Sequence, residues 1–248
     1  MAKAAAAATI TVITTTMTTS TAEAGLKLAA WLSPAFPVGG FSYSHGLEWA
    51  IEDGTVTTAA TLGRWLDDIL DHGAGRNDAI LLARAHTLTA AGDWSGLADL
   101  LDLAAALQPA RERHLEATAQ GAAFVRAVTD SYPTPALAAM QAGLSPRGPV
   151  WTYPTAVGAA AACHGIALAQ VLPLYLQAFA ANVVSAGVRA VPLGQTGGLR
   201  LVAALGPRIA HLSALAETAT LDDLGGAVFR ADIAAMRHET QYTRLFRS

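Results

Sequence analysis

Residues 148–188 read GPVWTYPTAVGAAAACHGIALAQVLPLYLQAFAANVVSAGV, and no Lys, Arg, Asp or Glu interrupts the run between Arg147 and Arg189. A small-residue half comes first, from Ala156 to Ala162. A larger half follows, Ile166 to Val184, in which Leu168, Leu172, Tyr175, Leu176 and Phe179 recur close to helical spacing. The pattern predicts two charge-free helices joined near Gly165. Such a pair is either a membrane hairpin or the buried centre of a soluble helical domain. A span needs about 20 strongly apolar residues. Here Gln170, Pro173, Gln177, Asn182 and Ser185 interrupt the second half, and weakly apolar alanine dominates the first. Small side chains instead let two helix backbones approach closely. The expectation is a buried core, with a membrane hairpin protein as the alternative.

Outward from this run, helical punctuation recurs on both sides. Leu26 to Leu32 suggest a short helix that Pro34 stops, since proline disfavours helix in the residue before it. Ser33 to Phe41, with two prolines and a Gly pair, is a structured turn carrying aromatics. A helix restarts through Ser44–Glu52. Thr57 or Thr58 caps the next, where Leu62, Trp65, Leu66, Ile69 and Leu70 form one stripe. Further helices are expected over Asn77–Ala91, Trp94–Leu107 and Pro109 to about Thr129. The last carries Arg111, Glu112, Arg113, Glu116 and Arg126 and reads as a salt-bridged surface. Pro133, Pro135, Pro146 and Pro149 bracket a loop-rich link into the uncharged run. Beyond it come a helix to about Leu205 and two more near His211–Thr218 and Leu221–His238. No alternating strand and no repeat is evident. The reading is all-α: a single compact multi-helix domain of about ten helices over residues 23–248, preceded by a disordered Ala/Thr-rich extension over 1–22.

Composition narrows the function. Of the 248 residues, 52% are hydrophobic and 14% charged, against a usual charged share of about 25%. So little charge covers a monomer poorly, and a homodimer is expected. A net charge of −3 gives no footprint for nucleic acid. One cysteine, Cys163, excludes an internal disulfide and any single-chain zinc site built on two thiolates. Cys163 and His164 read as a core pair. No cofactor and no metal site is expected. The first residues lack the apolar core of a signal peptide, so the expected location is cytoplasmic.

Three motifs invite chemistry. Gly40-Phe41-Ser42-Tyr43-Ser44 fails the nucleophile-elbow pattern because Ser44 stands where the second glycine belongs, although Ser42, Ser44 and His45 remain available for acyl transfer in a hydrolase. Gly194-Gln195-Thr196-Gly197-Gly198 resembles a phosphate cradle, but no Gly-Lys dipeptide exists, which excludes a P-loop and favours a tight turn. His238-Glu239-Thr240-Gln241-Tyr242 lacks the second imidazole that a zinc-protease helix needs. On a helix, His238 and Tyr242 would share a face, and Leu245 and Phe246 between arginines would anchor in another protein's pocket, the alternative being docking onto the protein's own core.

The stretch from Leu28 to Glu48, LAAWLSPAFPVGGFSYSHGLE, resembles the N-terminal signature of the urease accessory protein UreF family. Val191-Pro192-Leu193-Gly194-Gln195 and Met236 to Ser248, MRHETQYTRLFRS, resemble two further family stretches in the same order. The resemblance covers roughly Glu23 to Ser248. It implies an all-helical, dimeric, cytoplasmic, non-enzymatic protein. It also implies that the protein joins a UreD/UreH-like accessory protein and a UreG-like GTPase in delivering nickel to apo-urease, bridging the two and gating the GTPase or lining a nickel passage. On that basis Tyr43, His45 and Glu48 are expected on one signature surface and Arg189 and Gln195 on another. Tyr242, Arg244, Phe246 and Arg247 are expected to dock a partner.

Overall fold

A computed structural model describes residues 20–248. The fold is all-α. Among the described residues twelve α-helices follow one another: α1 Thr21–Trp31, α2 Leu47–Glu52, α3 Ala59–His72, α4 Ala74–Ala91, α5 Trp94–Ala106, α6 Arg111–Ser131, α7 Pro135–Leu144, α8 Tyr153–Cys163, α9 Leu168–Ala190, α10 Gly194–Ala204, α11 Gly206–Thr218 and α12 Phe229–His238. No strand occurs among the described residues. The expected disordered extension lies outside them as far as residue 19. Ser20 caps α1 by accepting the Glu23 N–H, so the first turn includes Thr21 and Ala22.

The uncharged run folds as its spacing predicts. It forms α8 and α9, joined at Gly165, whose φ of +63° suits a residue without Cβ. In α8 every residue from Pro154 to Ala161 is buried, because small side chains let neighbours approach from all sides. A Cβ on Gly158 would lie 2.2 Å from the Leu82 carbonyl oxygen, so α4 and α8 pack backbone to backbone. On α9 the stripe Leu172, Tyr175, Leu176, Phe179 and Val183 faces inward. Trp31 closes one end of this core, edge-on to Phe124, Tyr132 and His164.

By length and composition α9 is the one single helix among the described residues able to cross a membrane, and 56% of its apolar window is buried in the fold. At 11 residues α8 is about 16 Å long and is no second span. The uncharged run therefore does not hold two spans.

Three local readings change. The helix expected over Leu221–His238 is split into a 3-10 turn over Leu221–Asp223 and, after a break, α12. The proline-bracketed link holds a helix, α7, because Pro135 occupies its first turn behind the Thr134 cap, where a missing N–H costs nothing. The charged helix α6 is not a solvated surface: Arg113 and Glu116 are buried, 6% and 1% exposed, on the same face as Gln120, Phe124 and Val128.

Candidate functional site

The Ser33–Phe41 turn is followed by a 3-10 turn over Gly40–Ser42 and then by Ser44-His45-Gly46, which enters α2. His45 is the only described non-glycine residue with positive φ (57°), a conformation that must be held by its surroundings. Gly46 follows at φ +76°, and a Cβ there would lie 2.7 Å from the Ala235 backbone nitrogen. This tight entry presses the signature segment between α6, α9, α12 and the last residues of the chain.

What meets there is a seam of charge. Glu116 on α6 is bonded by Arg113, by His45 Nε2 at 3.0 Å, by the Ser248 hydroxyl at 2.6 Å and by Gln120 Nε2 at 3.2 Å. Burial works to raise its pKa, but the Arg113 and His45 charges and the donated hydrogen bonds outweigh it, and the carboxyl is held below its usual range. Glu48 on α2 accepts the backbone N–H groups of Leu245 and Phe246 and faces His238 Nε2 at 2.9 Å. The other His238 nitrogen, Nδ1, faces Glu112 at 2.6 Å, so the ring is clamped between two carboxylates. Arg244 reaches Glu112 at 2.7 Å. Ser44 donates its backbone N–H and its hydroxyl to the Ser248 carbonyl oxygen, and Arg247 N–H reaches the Ser42 carbonyl.

The expected signature surface is thus an interior seam. Tyr43 is 6% exposed, and the His45 and Glu48 side chains are 11% exposed each. The tail is corrected in the same way. Phe246, expected in a partner's pocket, is 4% exposed in the protein's own core, with the Arg189 guanidinium 4.4 Å above its ring. The physical reason is that Glu48 and Glu116 need donors, and the tail backbone and Ser248 supply them. The shared face of His238 and Tyr242 is not formed: α12 ends at His238, which is fully buried, while Tyr242 is fully exposed. Arg189 also donates to the Phe41 carbonyl at 2.9 Å, tying α9 to the signature turn. Gln195, Arg244 and Arg247 face solvent.

No nucleophile is assembled here. The Ser44 hydroxyl is spent on Ser248 and on the Glu48 N–H, and His45 is held by Glu116 rather than by a serine. Gly194 to Gly198 form the first turns of α10, not a free loop, and the Gly198 site is closed by Val188. Among the described residues no group of three His, Cys, Asp or Glu side chains is arranged to hold a metal.

Two clefts, of about 200 and about 150 Å³, open beside the seam and share His45, Asp78, Arg113 and Phe179 in their walls. Asp78 accepts the Tyr175 hydroxyl at 2.9 Å, and its burial, only partly opposed by Arg113, pushes its pKa up to about 6. Burial and then Arg113 push His45 down to about 4, so at neutral pH its Nε2–H donates to Glu116 and its Nδ1 is bare. Asp78, the buried roles of Arg113 and Glu116 and the pairing of half-buried Glu112 with His238 were missed in the sequence. For Arg113 and Glu116 a signal was present in α6, where they fall at helical intervals with Gln120, Phe124 and Val128.

The UreF family model matches residues 56–206. Relatives named urease accessory protein UreF are similar well beyond that span. The one from Methylorubrum populi is 51% identical over 90% of this chain and 98% of its own length. That of a Methylobacterium species, strain 4-46, is 53% identical over 90% and 88%, and that of Rhodopseudomonas palustris HaA2 is 52% identical over 90% and 92%. The chain belongs to the UreF family. Of the charged seam, α6 lies inside the span that the family model matches, and the signature turn and the tail lie outside it.

Proposed function

We propose that this UreF-family chain is a non-catalytic assembly factor in urease maturation. It bridges a UreD/UreH-like accessory protein and a UreG-like GTPase, modulates GTP hydrolysis there, and so promotes nickel insertion into apo-urease. It acts as a homodimer in the cytoplasm. The observation that carries the reading is the similarity to relatives named urease accessory proteins over 90% of the chain. The spending of Ser44, His45 and Glu48 on internal bonds supports a scaffold over a hydrolase. Exposed Phe229, Ile233 and Met236, spaced along one side of α12, support a surface that another chain covers.

The test is a strain carrying the urease cluster without this gene. Urease there should lack nickel until the chain is restored, and the tagged chain should retain the UreD/UreH-like and UreG-like proteins. Nickel-replete urease in the deletion strain overturns the role. Retention of neither partner overturns the bridge, unchanged GTP turnover in its presence overturns the modulation, and light scattering of a lone 25.5 kDa species overturns the dimer. Ester turnover by the purified chain would favour the hydrolase.

A further inference from the structure

The larger of the two clefts has an uneven charge. Its walls hold two carboxylates, Asp78 and Glu116, and one permanent cation, Arg113. Arg113 is committed to Glu116, whereas the only side chain that donates to Asp78 among the described residues is the Tyr175 hydroxyl. A buried carboxylate whose neighbouring cation is bonded to another group is costly, and a further positive group brought next to it recovers part of that cost. A second acceptor is also unspent. His45 Nδ1 is buried and finds no hydrogen-bond partner among the described residues, because the ring's proton sits on the Nε2 that serves Glu116. Both residues line the same cleft, and neither acceptor suits an anionic guest.

The rest of the cleft fits the apolar part of a cationic side chain. Tyr153, Tyr175 and Phe179 supply ring surface, on which a guanidinium or ammonium group is attracted to the aromatic face. At the mouth stand Pro34, Val38 and Phe41, the last 63% exposed, an apolar rim of the kind that shields a buried anchor from water. The volume of about 200 Å³ far exceeds the roughly 10–15 Å³ that one water needs. Complementarity of charge at the floor and of apolar surface at the rim favours a protein side chain over a free solute.

We infer that this cleft receives an arginine or lysine side chain inserted by a partner protein, whose N–H donors bind the Asp78 carboxylate and the bare Nδ1 of His45. The inference rests on the scaffold reading only in making the guest part of a protein. The full-length chain is titrated, in the absence of any urease protein, with N-acetyl-arginine N-methylamide and with its neutral citrulline isostere, and binding is read by NMR. The arginine probe should bind at least about tenfold more tightly than citrulline, the size of one charge-assisted contact. Asp78→Asn should abolish that preference, and Ser185→Trp, placed at the exposed rim, should block the probe without touching the core. Equal affinity for the two probes, no arginine binding at about 50 mM, or full binding by the Ser185→Trp variant overturns the inference. If Asp78→Asn fails to fold, the rim variant and the citrulline comparison still decide. Because no urease partner is present, failure here leaves the assembly role standing, and failure of the deletion-strain test leaves the cleft's chemistry standing.

Discussion

Between α4 and α8 the contact is made of backbone and small side chains: Gly158 lies against the Leu82 carbonyl, and Ala156, Ala159 and Ala160 are buried around it. Between the signature turn, α6 and the tail, the contact is made of ions and hydrogen bonds centred on Glu116, Glu48 and His238. Both regions exclude water. The first is held by shape, so it tolerates changes in pH and fails when a methyl group is added. The second is held by matched charge, so it tolerates little loss of any partner and responds to protons. The protein thus uses packing where helices must only stay together, and charge where separate segments must be fixed in one register.

Deleting Tyr242–Ser248 should produce the largest effect. It removes Phe246 from the core and takes three donors from Glu48 and Glu116. The expected loss is about 4–6 kcal/mol, from apolar burial and charge-assisted bonds, and calorimetry should show a melting temperature lower by many degrees. A truncated chain that melts like the intact one would mean the tail contributes nothing to this fold.

Glu116→Ala should cost about 3–5 kcal/mol because Arg113 is left buried without its partner. Chemical denaturation reads this directly. A double variant that also replaces Arg113 with Met should recover part of the loss, which no packing defect would do.

Gly158→Ala adds one methyl to the α4–α8 contact and should cost about 3 kcal/mol, at the upper end for overpacking, because backbone cannot swing aside. The loss should be the same at pH 5 and pH 8, in contrast to the charged seam. Unchanged stability would show that α8 slides easily.

Asp78 and His45 should oppose each other between about pH 4 and 6.5. Asp78 is raised to about 6, so it favours the folded state when protonated, and that advantage fades as pH rises from its unfolded value of 3.8 toward 6. His45 is lowered to about 4, so the unfolded chain takes up its proton first and stability falls as pH drops from 6.5 toward 4. The pair therefore flattens the profile. Asp78→Asn should leave stability climbing with pH across this window, and His45→Asn should leave it declining, each by about 3 kcal/mol. Parallel profiles in both variants would break this account. At the far end of the scale, Tyr242→Ala should leave the melting temperature unchanged, since Tyr242 is fully exposed, while weakening partner retention.

The helical class, most helix positions and the buried centre are legible in the residue pattern alone. Those follow from short-range spacing, caps and breakers, which act within a few residues: Leu62 to Leu70 on α3, the Thr58 cap, and Gly165 between α8 and α9. Helix α7 escaped because Pro135 signals a break and a helix start equally well. That Glu116 is interior, that Phe246 turns home and that Asp78 shares two clefts with His45 emerges only once the helices are packed. Glu116 and Ser248 are separated by 132 positions, and Glu48 and Phe246 by 198. Pairings over such distances leave no periodic trace. A charged residue looks like surface until the fold brings its counter-charge and takes the water away, because its place is set by the partner and not by its neighbours in the chain.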